Sequence, residues 1–118
     1  MPRTILVVED DPDILESVQD FLEQDGYLVL RASNGREALD VLARGAAPSL
    51  ILLDLLMPVM DGFELLAHLR DSSAHAAIPV VVVSASSTLA APAGVPLINK
   101  PFSLATLLDT ARRYCADA

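Results

Sequence analysis

The sequence predicts a doubly wound α/β fold: a five-stranded parallel sheet in the order 2-1-3-4-5, with helices on both faces. Three observations lead there. Short runs that are apolar at every position alternate along the chain with amphipathic helical patterns, as in a parallel sheet covered on both faces. The chain has 118 residues, the size of one ordinary domain, and no linker-like tract or internal repeat divides it. Several of the apolar runs also stop on an acid, a hydroxyl or a lysine. Right-handed crossovers bring the carboxyl ends of parallel strands to one edge, where such sheets bind ligands.

Taken in order, Ile5-Leu6-Val7-Val8 is the first buried run, and it stops at Glu9-Asp10-Asp11. Asp13 to Asp25 carries Ile14, Leu15, Val18, Phe21 and Leu22 on one helical stripe, closed by Gly26. Tyr27 to Ala32 reads as the second strand. Asn34 with Glu37 resembles a capping box and opens a helix through Ala38, Leu39 and Leu42 toward Gly45. Leu50 to Leu53 is the third strand, ending on Asp54. Asp61 to Arg70 forms a helix expected to turn Phe63, Leu66 and Leu69 inward. Pro79 to Val83 is the most β-prone segment and ends at Ser84, and Val95 to Asn99 is a short fifth strand running into Lys100-Pro101. Ser103 caps a last helix through Leu104, Leu107, Leu108 and Ala111.

Composition excludes several classes of function. A hydrophobic fraction of 53% supplies a packed core and is too high for a disordered chain. The longest apolar runs are only about five residues, too short to cross a bilayer. The N-terminus, with four apolar residues before Glu9, does not read as a secretory signal. A single cysteine, Cys115, excludes an internal disulfide and fits a reducing, cytoplasmic compartment. Sixteen acidic against eight basic residues give a formal charge of −8, a field that repels nucleic-acid backbones. Seven of the eight basic residues are arginines, and Lys100 is the lone lysine.

The residues at the strand ends are Glu9, Asp10, Asp54, Ser84 and Lys100. Three carboxylates converging on one edge repel one another unless a cation sits among them. Oxygen-only ligands with room for water suit Mg²⁺. A divalent ion could in turn hold a phosphoryl group, whose other oxygens call for a hydroxyl and a positive charge, here Ser84 and Lys100. Each residue also has a bland reading taken singly. Asp11 and Asp13 fit the positive end of a helix, Asp54 could merely terminate a strand, and Ser84 could be an ordinary strand-end hydroxyl. His68 and His75 show no ligand spacing and are read as surface residues, and Cys115 as a small apolar group. The joint occurrence of the five, on one edge and in order, outweighs those readings.

Four blocks then carry a resemblance: Val7-Val8-Glu9-Asp10-Asp11-Pro12, Leu53 to Gly62, Val83-Ser84-Ala85 and Asn99-Lys100-Pro101-Phe102. Together they resemble the signature blocks of response-regulator receiver domains, and the similarity covers essentially the whole chain. The resemblance implies that Asp54 accepts a phosphoryl group from a histidine kinase or phosphotransfer protein. It implies that Mg²⁺ is held by Asp10, by Glu9 mainly through water, by Asp54 and by the backbone carbonyl of Leu56. Ser84 would bond the phosphoryl oxygens and Lys100 would pair with them, across a Lys100-Pro101 bond that is cis in the family. It implies a switch in binding to an effector protein, with no external substrate turned over and hence no enzyme in the ordinary sense. Residues 1–118 are expected to form one receiver domain with no output domain, without direct nucleic-acid contact or membrane insertion.

The chain departs from the family pattern in two places. Only ten residues, Ala85 to Gly94, lie between Ser84 and the fifth strand. A regular helix with two loops does not fit, so the helix between the fourth and fifth strands is expected to be absent or cut to about one turn. Leu97 stands three residues before Lys100, where the family usually has an aromatic ring. Both changes fall on the surface that normally transmits activation, so readout is expected through other surfaces, such as the first helix or the shortened loop. Leu56 and Ser86 replace residues that often hold the hydrolytic water, which implies slow self-dephosphorylation. A degenerate receiver, acting as a phosphorylation-independent interaction module, is the alternative. An aspartyl-phosphate phosphohydrolase is set aside, because it needs a second carboxylate where Leu56 stands.

Overall fold

Four aliphatic residues in succession leave a strand no polar face, and Thr4–Val8 (β1) accordingly lies inside the sheet, with Ile5 to Val8 all buried. The computed structural model of the protein describes residues 3–54, 62–84, 96–99 and 103–115. Among these, β1 is followed by α1 (Pro12–Gln24), β2 (Leu28–Ala32), α2 (Gly35–Ala43), β3 (Leu50–Asp54), α3 (Gly62–Asp71), β4 (Val80–Ser84), β5 (Leu97–Asn99) and α4 (Leu104–Cys115). The strands form one parallel sheet in the order β2-β1-β3-β4-β5. The topology expected from the alternation of apolar runs and helices is the one observed.

Alternate residues of each strand feed two separate cores. Leu6, Val8, Ile51, Leu53 and Val82 face α2 and α3. Ile5, Val7, Leu50, Leu52 and Val81 face α1 and α4. Registers Val8↔Leu53 and Asp54↔Val83 align the upper ends of β1, β3 and β4, so residues just past those pairs share one edge.

The helices begin and end where capping chemistry dictates. Asp11 is the N-cap of α1, its Oδ1 accepting from the backbone N–H groups of Asp13 (2.9 Å) and Ile14 (3.3 Å), with Pro12 following at the first helical position. After α1 the chain takes a Schellman turn: Gly26 N–H donates to Glu23 O and Tyr27 N–H to Leu22 O, each at 3.1 Å, with Gly26 at φ +95°. Asn34 caps α2 through Glu37 N–H (2.9 Å), and the Glu37 carboxylate reaches back to Ser33 N–H (2.8 Å). That is one position earlier than a strict capping box. Ser103 Oγ accepts from Thr106 N–H at 3.1 Å, capping α4 as expected.

Several expectations need correction. Phe63 is 37% exposed, and Leu65 takes the inward place beside Leu66 and Leu69. Phe21 lies at the margin of the α1 stripe and is 38% exposed. β2 starts at Leu28, because Tyr27 N–H is committed to closing α1. β5 is shorter than expected, Leu97–Asn99: Pro96 has no N–H to give, although its carbonyl still accepts from Val82 N–H. Val95 and the segment Ala85 to Gly94, with its expected short or missing helix, lie outside the described residues. His68 is exposed as expected, but His75 is half-buried, its Nδ1 within 3.2 Å of Ser72 Oγ.

Candidate functional site

Each candidate carboxylate owes its place to a strand end. Asp54 is the last residue of β3 and Glu9 directly follows β1; both are buried, whereas Asp10 is exposed. Glu9 is held by its backbone, whose N–H donates to Ala32 O at 3.0 Å, and its Oε2 accepts from Asp11 N–H at 3.3 Å. The turn from β1 into α1 thereby sorts the three consecutive acids. Asp11 caps the helix, while Glu9 and Asp10 stay at the edge of the sheet.

One carboxylate oxygen from each of Glu9, Asp10 and Asp54 lies within 4.8 Å of the other two. Glu9 borders a small cavity whose other walls are apolar, Val7, Ile14, Leu52 and Val83 among them, so little solvent screens the cluster from that side. Three acids this close, two of them buried, form a strongly electronegative pocket. It offers oxygen ligands only, one of them solvent-facing, which is the donor set of a hard divalent cation that keeps some of its water. Ser84 closes β4 at the same edge, buried, one residue past the Asp54↔Val83 pair and in register with Asn99. The structure therefore brings together Glu9, Asp10 and Asp54 and puts Ser84 on their edge. Lys100 and the carbonyl of Leu56 lie outside the described residues, as does Ser86. Leu97 lies in β5, paired with Val82, and is 36% exposed. Asp11 N–H also holds the Glu9 carboxylate, a role that its residue type does not announce. Its only signal was its place between a strand-ending acid and a proline.

A doubly wound α/β domain with a three-carboxylate pocket at the carboxyl ends of its strands is the class that fold and site define. Residues 5–112 match the response regulator receiver domain, and the chain belongs to that family. It is 34% identical to the polar-differentiation response regulator DivK of Brucella anthropi, with all of both chains aligned. Among solved structures it resembles the chemotaxis response regulator CheY4 of Vibrio cholerae, at 32% identity and TM-score 0.84, covering 97% of this chain and 99% of that one. It also resembles the receiver domain of the sensor histidine kinase PA1611 from Pseudomonas aeruginosa, at 25% identity and TM-score 0.89, covering 99% and 100%. That structure is described with a magnesium ion coordinated in its active-site cleft. The chain is thus a two-component signalling module rather than a classical enzyme. None of the helices among the described residues is long and apolar enough to cross a membrane.

Proposed function

We propose that this chain is a cytoplasmic phosphoacceptor switch in which Asp54 takes a phosphoryl group from a histidine kinase or phosphotransfer protein. The convergence of Glu9, Asp10 and Asp54 carries the reading. An Asp54 carboxylate oxygen forms the new bond to phosphorus as the phosphorus–nitrogen bond of the donor phosphohistidine breaks. The imidazole nitrogen keeps the electron pair and takes up a proton. Asp54 is held ready for this by its place at the end of a fully buried strand. Asp10 and Glu9, with Asp54 and the carbonyl of Leu56, would hold Mg²⁺, which supplies positive charge for the equatorial oxygens. Ser84 would bond those oxygens and Lys100 would pair with them. The magnesium ion coordinated in the active-site cleft of the related PA1611 receiver supports a Mg²⁺ site in this chain. Phosphorylation would then change the affinity for an effector protein, residues 1–118 acting as one receiver domain.

The degenerate-module reading draws on Leu97, which stands exposed where an aromatic switch residue is usual. Leu97 bears on the readout surface and leaves the carboxylates in place. Intact mass after incubation with acetyl phosphate and Mg²⁺ decides between the readings. A gain of one phosphoryl group in the wild type and none in Asp54→Asn supports the switch. No gain from acetyl phosphate or from histidine kinases, together with no Mg²⁺ binding, supports the module.

A further inference from the structure

We propose that a cleft at the edge of the sheet opposite Asp54 binds a small amphipathic anion, a carboxylate on an apolar body, with Arg70 and Tyr114 as its polar contacts. The cleft lies at the starts of β4 and β5, between the last turns of α3 and α4, and has a volume of about 420 Å³. Small-ligand pockets span roughly 300–1,000 Å³.

Its floor is apolar and preformed. Leu66 and Leu69 contribute from α3, and Pro79 and Pro96 from the residues just before β4 and β5. Neither proline has an N–H to leave unpaired, and both carbonyls are used by the sheet, accepting from Ile51 N–H (3.0 Å) and Val82 N–H (2.9 Å). The wall formed by the turn after α3 is equally fixed. Ala76 N–H donates to Ser72 O (2.9 Å), Ile78 N–H to His75 O (3.1 Å), and the His75 ring is tied to Ser72 Oγ. A ligand would therefore meet an ordered surface and spend little free energy on arranging it.

The polar rim selects the sign of the charge. Arg70, His75 and Tyr114 line the cleft, and among the described residues no acid does. Arg70 makes no ion pair among the described residues, so its guanidinium fork is available to a carboxylate. Half of the chain's acids lie on one segment, whose last member, Asp25, is paired with Arg112 at 3.1 Å. Glu9 to Asp25 holds eight of the sixteen acidic residues and none of the eight basic ones, which leaves the rest formally neutral. An apolar floor with a cation and a phenol at its rim fits a monoanion with a hydrocarbon body better than a polyphosphate or a cation.

The test is a titration of the full ¹⁵N-labelled chain with sodium octanoate, followed in ¹H–¹⁵N spectra, with octyltrimethylammonium in parallel. Octanoate is expected to give saturable shifts confined to residues 66–80, 97 and 114, and the cation none. Arg70→Gln, at an exposed position and so without consequence for folding, should raise the apparent Kd about tenfold. Tyr114→Phe should raise it by a smaller factor. The proposal is overturned if octanoate gives no saturable shift, if the shifts lie elsewhere, if the cation binds equally, or if Arg70→Gln leaves the Kd unchanged.

Discussion

Glu9 and Asp54 stand at the ends of different strands, are only 3% and 5% exposed, and yet bring carboxylate oxygens to within 4.8 Å of each other and of Asp10. Like charges held this close make the folded chain a better cation ligand than the unfolded one, so Mg²⁺ is expected to stabilise it. At a free ion concentration ten times the Kd the gain is about 1.4 kcal/mol, a rise in Tm of about 6 °C for a domain of this size. Asp10→Asn and Asp54→Asn should each abolish most of that rise, whereas Asp13→Asn, on the exposed first turn of α1, should leave it intact. Thermal melts in EDTA and in Mg²⁺ give the comparison. An equal rise in all four proteins would mean the ion acts elsewhere.

Asp11 serves the fold directly and the site at one remove. Its carboxylate caps α1 and its N–H bonds Glu9 Oε2. Asp11→Ala is expected to cost about 1 kcal/mol of stability, the usual value of an N-cap, read as a lower urea midpoint at unchanged slope. Asp11→Asn keeps a capping oxygen and should recover most of the loss. If both variants lose equally, the charge of Asp11 matters and its capping bonds do not.

How far the sequence could be read follows from the kind of signal each feature leaves. The β1, β3 and β4 runs are apolar at every position, which only a strand buried on both faces requires, and their terminal acids and serine mark one edge. Fold and pocket were therefore legible together. The phase of α3 was not, because apolar residues occupy positions 63, 65, 66, 67 and 69 and permit more than one inward face. The fold selects the face of Gly62, Leu65, Leu66 and Leu69, a spacing of three, four and seven from the first helical residue. The cleft beside Arg70 left no signal, since its walls come from four separate segments with no shared spacing.

That choice of phase predicts a contrast between two neighbours. Leu65 is fully buried against the α2–α3 core, and Leu65→Ala should cost about 2–4 kcal/mol through lost transfer and a residual cavity. Phe63→Ala, despite removing a larger side chain, should cost under about 1 kcal/mol because its ring already meets water. Urea denaturation of the two variants ranks them, and a Phe63 loss equal to that of Leu65 would contradict the observed face.

Alkaline pH should weaken the fold through Cys115 and Tyr27. Burial raises the Cys115 thiol above its ordinary 9.0, with the charge of Arg3 opposing. Burial likewise raises the Tyr27 phenol above 10.0, reinforced by the charges of Cys115 and Asp25 and opposed by Arg112. In each case the unfolded chain ionises first. Their contribution to stability is thus intact below about pH 8, begins to fall near pH 9 as the unfolded thiol loses its proton, and is gone above the folded values. Each group adds a slope of at most about 1.4 kcal/mol per pH unit in that window. Cys115→Ala should start lower, by about 1 kcal/mol for the lost packing, and then decline less steeply between pH 9 and 10. The native thiol should also react slowly with a disulfide reagent at pH 8, since the neutral form is the weaker nucleophile, and quickly once urea unfolds the chain. Urea midpoints from pH 7 to 10 test the slope, and identical slopes in wild type and Cys115→Ala would remove Cys115 from the account.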